Sequence, residues 1–283
     1  MIDLHTHSCV SDGTETPARL MESAAAAGLD VVALTDHDTT AGWDEAAAAV
    51  SRTGVALVRG TEISTRVVEA GSAISVHLLA YLYDPAHPAL VAELQRTRTA
   101  RYERARRMVD LLAQDHPVTW DDVVAQTHDG ATIGRPHLAD ALVAAGVVAS
   151  RDEAFATILH PGARYYVPHY APGTAETVRA VVAAGGVPVL AHPRAGKRGR
   201  VVSEGTIAAL ADDGLAGLEA DHRDHDDADR ARLREVAADL GLLVTGASDY
   251  HGAGKLNRIG EHTTDPAVLA EIAGRGRLEI LSP

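Results

Sequence analysis

The sequence is poor in the residues that staple or anchor a chain. It has a single cysteine, Cys9, so no internal disulfide can form. That fits a reducing compartment, and a cytoplasmic location is expected. No stretch approaches the roughly 18 consecutive apolar residues of a membrane span. No basic segment followed by an apolar run opens the chain. Neither a membrane partner nor a signal peptide is expected. Basic excess is missing too: the net charge is −13. A protein that grips long nucleic acid by its phosphates usually carries the opposite balance, so stable binding of long nucleic acid is not expected. Any phosphate binding must come from a local cluster or from metals. Aromatics make up only 4% of the residues, and alanine is frequent instead. Stretches such as "MESAAAAGLD" and "WDEAAAAVSRTG" read as helices ending at glycine. There is no repeat of fixed period and no low-complexity linker. With 46% hydrophobic residues in 283, the chain can bury a sizeable core as one large domain, or one domain with an insertion.

What is present includes 15 histidines, and two stand at His5 and His7 in "MIDLHTHSCVSDG". In a β-strand, alternate residues point to the same side. If this stretch is extended, both rings aim at one spot, which suits a metal ion. The plainer reading is a surface strand with incidental histidines. The rest of the chain decides between them.

Apolar runs of strand length recur along the chain. They are Met1–Leu4, Asp30–Asp38, Val55–Ser64, Ala73–Tyr83, Val187–Ala195, Gly214–His222 and Gly241–His251. Helical patterns lie between them at Pro17–Ala27, Gly42–Thr53, Thr174–Ala184, Glu204–Asp213 and Ala228–Leu240. Strands alternating with helices predict an α/β fold with a parallel sheet, and runs that are apolar throughout predict strands covered on both faces. Each run carries polar residues able to hold a metal: His5/His7, Asp36/His37, Glu62, His77, His192, Glu219 and Asp249/His251. Such residues at the C-terminal ends of parallel strands are the mark of a barrel with its site at one mouth. Seven in register favour the metal site over incidental placement.

The interval between the fourth and fifth strands is far longer than a crossover helix needs. It holds "ARYERARRMVDLLAQ", "TWDDVVAQ", "RPHLADALVAAG" and "RDEAFATIL", all helical in period. It reads as a helical insertion over 97–169, a lid on a barrel built from 1–96 and 170–283.

The elements "DLHTHS", "LTDHD", "GTEIS", "VHLLAY", "LAHP" and "ASDYHG" together resemble the PHP family, named for polymerase and histidinol phosphatase. The resemblance covers the barrel part of the chain. The insertion, with "IGRPHLADALV" and "DEAFATIL", looks like the branch that hydrolyses nucleoside 3′,5′-bisphosphates and trims short RNA from its 5′ end. The resemblance implies a distorted (β/α)7 barrel with the helical insertion between strands 4 and 5. It also implies a metal-dependent phosphoesterase with two to three divalent ions. By residue type and resemblance, His5, His7 and Asp249 hold one ion with Glu62 shared. Glu62, His77 and His192 hold a second, and Asp12, His37 and His251 a third. Asp36 is expected to accept an imidazole N–H and fix a ring. Mixed imidazole and carboxylate ligands suit Zn, Mn or Fe, and the sequence does not choose among them. Such a cluster activates water near neutral pH and neutralises phosphoryl and leaving oxygens. One departure follows Glu219, where relatives often carry an aliphatic-aromatic pair and this chain has Ala220, Asp221, His222 and "RDHDDAD".

Arginines offer candidate substrate contacts. Arg135 and His137 open a predicted helix, whose N-terminus favours anions; the plainer reading is a capping turn with a surface arginine. Arg194 is a second candidate, with Lys197, Arg198 and Arg200 forming a basic patch or a solvated loop. Of the arginines on the first insertion helix, Arg101 and Arg104 share a face and the others read as solvated. His87, His116, His128, His160 and His262 read as structural or surface residues, Cys9 as a packed small residue, and His222 and His225 stay open. The expected partner is a small phosphorylated substrate, a nucleotide or short oligonucleotide. The alternatives are a nucleoside monophosphate or histidinol-phosphate type of phosphatase, a 5′–3′ exonuclease on short RNA, and a non-catalytic metal-binding module. The oligomeric state stays open.

Overall fold

The computed structural model describes residues 1–128 and 130–283; Asp129 and the side chain of Arg198 lie outside the described residues. Seven strands form one sheet in chain order. They are β1 (Ile2–Thr6), β2 (Val31–Leu34), β3 (Ala56–Glu69), β4 (Ser72–Tyr81), β5 (Val187–Leu190), β6 (Gly217–Asp221) and β7 (Leu243–Gly246). Helices α1 (Pro17–Ala26) and α2 (Trp43–Thr53) follow the first two strands. After β4 come α3 (Pro88–Leu112), α4 (Trp120–Val124), α5 (Arg135–Ala144), α6 (Arg151–Ala156) and α7 (Thr174–Ala183). The last three are α8 (Glu204–Asp212), α9 (Asp227–Leu240) and α10 (Pro266–Arg275).

Alternate residues of each strand serve two apolar layers. Leu4, Ala33, Val58, Leu79, Tyr81 and Val189 fill the barrel interior. Leu34, Leu57, Leu78, Ala80, Leu190 and Leu218 face outward onto Leu20, Met21, Ala49, Val178, Ile207 and Val236 of the helices. Burial on both faces is why the strands read as continuous apolar runs. The ring closes just past β7. The His7 N–H donates to the Tyr250 carbonyl (2.8 Å) and the Thr264 N–H to the Ile2 carbonyl (2.9 Å). The buried Asp3 carboxylate accepts from the N–H groups of Ser248 (3.1 Å) and Gly260 (2.8 Å). The result is a nearly closed, distorted (β/α)7 barrel.

The expectation of an all-parallel sheet fails at one strand. β4 runs antiparallel to both β3 and β5, while the other pairs are parallel. The cause is local. Ala70 and Gly71 join β3 to β4 with φ of 49° and 77°. A two-residue turn with both φ positive makes a hairpin and leaves no room for a crossover helix. His77 therefore lies within β4 opposite Ser64, not at the strand's C-terminal end. Reversal of the strand still delivers it to the mouth.

The insertion has its own apolar centre. Ala105, Met108, Val109 and Leu112 of α3 pack with Val123, Leu138, Leu142, Ala154 and Leu159. Its first helix does not begin at 97, however. Pro88 opens α3, and Leu90 and Leu94 belong to the barrel core, so one helix runs from barrel to insertion.

Candidate metal centre

Glu62, near the middle of the long β3, is the hub of the mouth. Its Oε2 faces His5 Nε2 (3.2 Å), His7 Nε2 (3.1 Å) and His37 Nδ1 (3.2 Å). Its Oε1 faces His77 Nδ1 (2.7 Å) and His192 Nε2 (3.1 Å). Asp249 Oδ1 stands 3.5 Å from both His5 Nε2 and His7 Nε2. On the far side of His7, Asp12 meets His251 Nε2 (3.2 Å) and His37 Nε2 (3.7 Å). Three sets could each hold an ion: His5/His7/Glu62/Asp249, His37/Glu62/His77 and His7/Asp12/His37/His251. All nine sequence-selected ligand candidates thus meet at one place. The sets overlap more than expected: His7 and His37 are each shared, and His192 reaches the centre through Glu62.

The electrostatics suit cations. Burial pushes the Asp12 and Glu62 carboxyls up, but the surrounding imidazoles outweigh it and hold both well below the usual range. Burial opposes charge on His5 and His7, yet the facing carboxylates raise His5 well above its ordinary value and His7 to about 9. At His37 burial wins and the ring stays neutral, and His251 is pulled down to about 4 by burial, Lys255 and His7. His37 Nδ1 and His251 Nε2 are buried and face only carboxylate oxygens, Glu62 Oε2 and Asp12 Oδ1 at 3.2 Å each, without well-aligned hydrogen bonds among the described residues. Neutral rings whose nitrogens face ionised carboxylates are the donor set a divalent transition metal takes. His192 and Asp249 sit at φ of 29° and 53°, in the left-handed region that L-residues occupy at a cost.

Supporting residues depart from expectation in part. Among the described residues Asp36 accepts no imidazole N–H. It takes the Ser8 N–H (2.8 Å) and the hydroxyls of Ser8 and Ser11 (2.6 Å each), and Ser11 Oγ lies 3.4 Å from His7 Nδ1. The loop's serines come between the carboxylate and the ring. The orienting role falls to Glu219. Its Oε1 lies 3.0 Å from His5 Nδ1, and its Oε2 accepts the His192 N–H (2.8 Å). Glu219 stands in the strand-end series, a signal that was legible, but it turns away from the ion positions.

A basic pocket adjoins the His37/His77 side. Arg104 is buried and Arg135 half-buried, and among the described residues neither has a carboxylate within ion-pair distance. Arg104 lies 3.1 Å from His169 Nδ1, and its pKa is lowered to about 9 by burial and by Arg101 and Arg135. Arg135 donates to the Leu159 carbonyl (3.2 Å) and lies over the Phe155 and Tyr166 rings. His169, which the sequence did not single out, is driven to about 2 by burial and these arginines. Arg101 is already neutralised, with Nε 2.7 Å from Asp38 Oδ2 and a second contact to Ser64 Oγ. His137 caps its own helix, its Nδ1 accepting the Gly134 N–H (3.1 Å). Arg194 pairs with Glu204 (2.9 Å), a carboxylate also held by Arg232. Arg198 of the expected basic patch lies outside the described side chains. On the Asp12 side a cavity of about 520 Å³ separates barrel from insertion, lined by Thr14, His137, Asp140, Arg151, Lys255 and Leu256 among others.

The family model for the PHP domain matches residues 3–142. A 3′,5′-nucleoside bisphosphate phosphatase of Chromobacterium violaceum is 36% identical over 100% of this chain and 98% of its own. The chain belongs to the PHP family. A second relative, the phosphoribosyl 1,2-cyclic phosphate 1,2-diphosphodiesterase of Eggerthella lenta, is 33% identical over 91% of this chain and 97% of its own. Among solved structures, a protein from Bifidobacterium adolescentis assigned as a metal-dependent phosphoesterase superposes with a TM-score of 0.94 at 49% identity. That match covers 97% of this chain and 96% of the other.

Proposed function

We propose that this PHP enzyme, a metal-dependent phosphoesterase, removes one phosphate from a nucleoside 3′,5′-bisphosphate in the cytoplasm. The observation that carries the substrate is the pair Arg104 and Arg135: a buried and a half-buried guanidinium without carboxylate partners among the described residues, beside a separate candidate metal centre. A buried charge left unpaired is costly, so such a pocket calls for an anion from the ligand. A substrate with two phosphates answers both places. A nucleoside monophosphate or histidinol phosphate has one phosphate and leaves the pocket unanswered.

In this reading His5, His7, Asp12, His37, Glu62, His77, His192, Asp249 and His251 hold two to three divalent ions, Mn, Zn or Fe. Bound ions supply an activated water and neutralise the oxygens of the phosphate being cleaved. The chain does the rest. Arg104 and Arg135 grip the second phosphate, with Arg101 fixed behind them by Asp38. Glu219 holds the His5 ring so that Nε2 faces the centre. The cavity at the seam gives the nucleoside room.

The test is a comparison of adenosine 3′,5′-bisphosphate, AMP, histidinol phosphate and a short 5′-phosphorylated RNA. The bisphosphate should lead in kcat/KM by about ten-fold or more, the worth of one charge-assisted contact. A chelator should abolish turnover. Equal rates on AMP and the bisphosphate would sink the substrate assignment.

A further inference from the structure

His222 lies just past β6. It is fully buried, although nothing in the metal-holding sets uses it. Its hydrogen bonds fix what the ring can do. Nδ1 accepts the Asp224 N–H at 3.0 Å. A neutral imidazole whose Nδ1 accepts must carry its proton on Nε2, so this ring offers an N–H and no lone pair to a metal. That Nε2 is buried without a hydrogen-bond acceptor among the described residues. It points to the centre, with Asp249 Oδ2 the facing atom at 3.7 Å, and its ring lies against that of His192 (centroids 5.3 Å apart). Asp249 Oδ2 already takes Lys255 Nζ at 2.9 Å. Neighbouring His225 is different. Its Nδ1 lies 2.8 Å from the Ala220 carbonyl and its Nε2 accepts the Arg194 N–H (3.1 Å), so both nitrogens are spent on holding the loop.

An orphaned N–H in a buried site costs free energy until an acceptor arrives. The surroundings are rich in carboxylates, so a phosphoryl oxygen here needs donors to offset repulsion. We propose that His222 is a substrate-contacting residue, donating Nε2–H to an oxygen of the phosphoryl group held at the metal centre. The inference rests on the phosphoesterase reading but not on which nucleotide is cleaved.

The probe is inorganic phosphate binding to the metal-loaded protein, measured by calorimetry beside metal content and Tm. His222→Asn keeps an oxygen able to accept the Asp224 N–H two residues on, yet cannot reach the Nε2 position. It should keep its metal and fold while phosphate affinity falls about ten-fold or more. His222→Gln places an N–H near the Nε2 position and should retain most of the affinity. Unchanged phosphate affinity in His222→Asn overturns the proposal. So does metal loss in that variant, which would make His222 a support for Asp249. Should His222→Asn not fold, loss of phosphate affinity in a folded, metal-replete His222→Gln overturns it. Because the probe is phosphate itself, a failure of the bisphosphate assignment leaves this result standing.

Discussion

Arg135 carries a charge that no carboxylate of the described fold neutralises, and His37 stands between two carboxylates, so the two residues predict opposite phenotypes. Arg135→Ala should leave metal content intact and lower kcat/KM on a bisphosphate by about ten- to hundred-fold, the worth of a charge-assisted contact of about 1.5–3 kcal/mol. A small aryl phosphate, which does not span to the pocket, should be spared. His37→Ala should lower metal occupancy, read by elemental analysis, and slow every substrate. If Arg135→Ala sheds metal or harms both substrates alike, its place in substrate binding is wrong. Gly13 yields a third phenotype: a Cβ there would collide with the His7 carbonyl, so Gly13→Ala should displace the adjoining Asp12 and weaken metal retention. The ligand candidates other than Asp12 were legible because each sits on or just past an apolar strand pattern; Asp12, in the turn after β1, was named from the family resemblance. The partners of Glu219 and Asp36, both named from the sequence, and the place of His169 beside the arginines were not legible, because those partners come from distant segments and no local spacing announces them.

At the level of elements, the seam between insertion and barrel rests on α6. Arg151 makes a bidentate pair with Asp140 of α5, at 2.5 Å for each bond, and also donates to the carbonyls of Asp12 and Gly254 (3.3 Å each). One side chain thus ties α5, the Asp12 loop and the segment after His251. Arg151→Ala should cost about 1–3 kcal/mol, the range for leaving a half-buried partner unanswered. Hydrogen exchange should quicken in α5 and α6 more than in the strands, and KM should rise with metal content unchanged. Uniform loosening of the barrel would contradict a role at the seam. The same scale shows why the direction of β4 and the start of α3 differ from expectation. "VVEAGSAIS" holds a two-residue turn inside a strand pattern, and its Ala-Gly is weaker as a signal than Asn-Gly, so the reversal of β4 was easy to miss. The helix read from 97 runs instead from Pro88, because a continuous helix hides a change of packing partner.

Across the whole molecule, closing the sheet brings residues from His5 to His251 onto one buried centre, and the charges gathered there tie stability to both pH and metal. Consider the protein stripped of metal by a chelator. His7 moves from 6.5 to about 9 on folding. A raised pKa gives stability that is fully present below the unfolded value and lost as pH rises through the folded one, so this contribution disappears between about pH 6.5 and 9. On the acid side the signs reverse. His251 falls from 6.5 to about 4, and Asp12 and Glu62 lie well below their ordinary values. Their contributions are present near neutrality and lost as pH falls. The stripped protein should therefore be most stable near pH 6.5, with Tm falling toward both pH 5 and pH 9. Loaded protein should behave differently on the alkaline side, because ions take over the role of the protons on the rings. Each ion at a hundred-fold excess over its Kd adds about 2.7 kcal/mol, and that gain should persist to pH 9 and fade toward pH 5 as protons compete for the ligands. Calorimetric scans at pH 5, 6.5 and 9, with and without Mn²⁺, read both trends. A stripped protein with equal Tm at pH 6.5 and 9, or a loaded one with the same alkaline decline, would show that the imidazole–carboxylate centre does not govern stability.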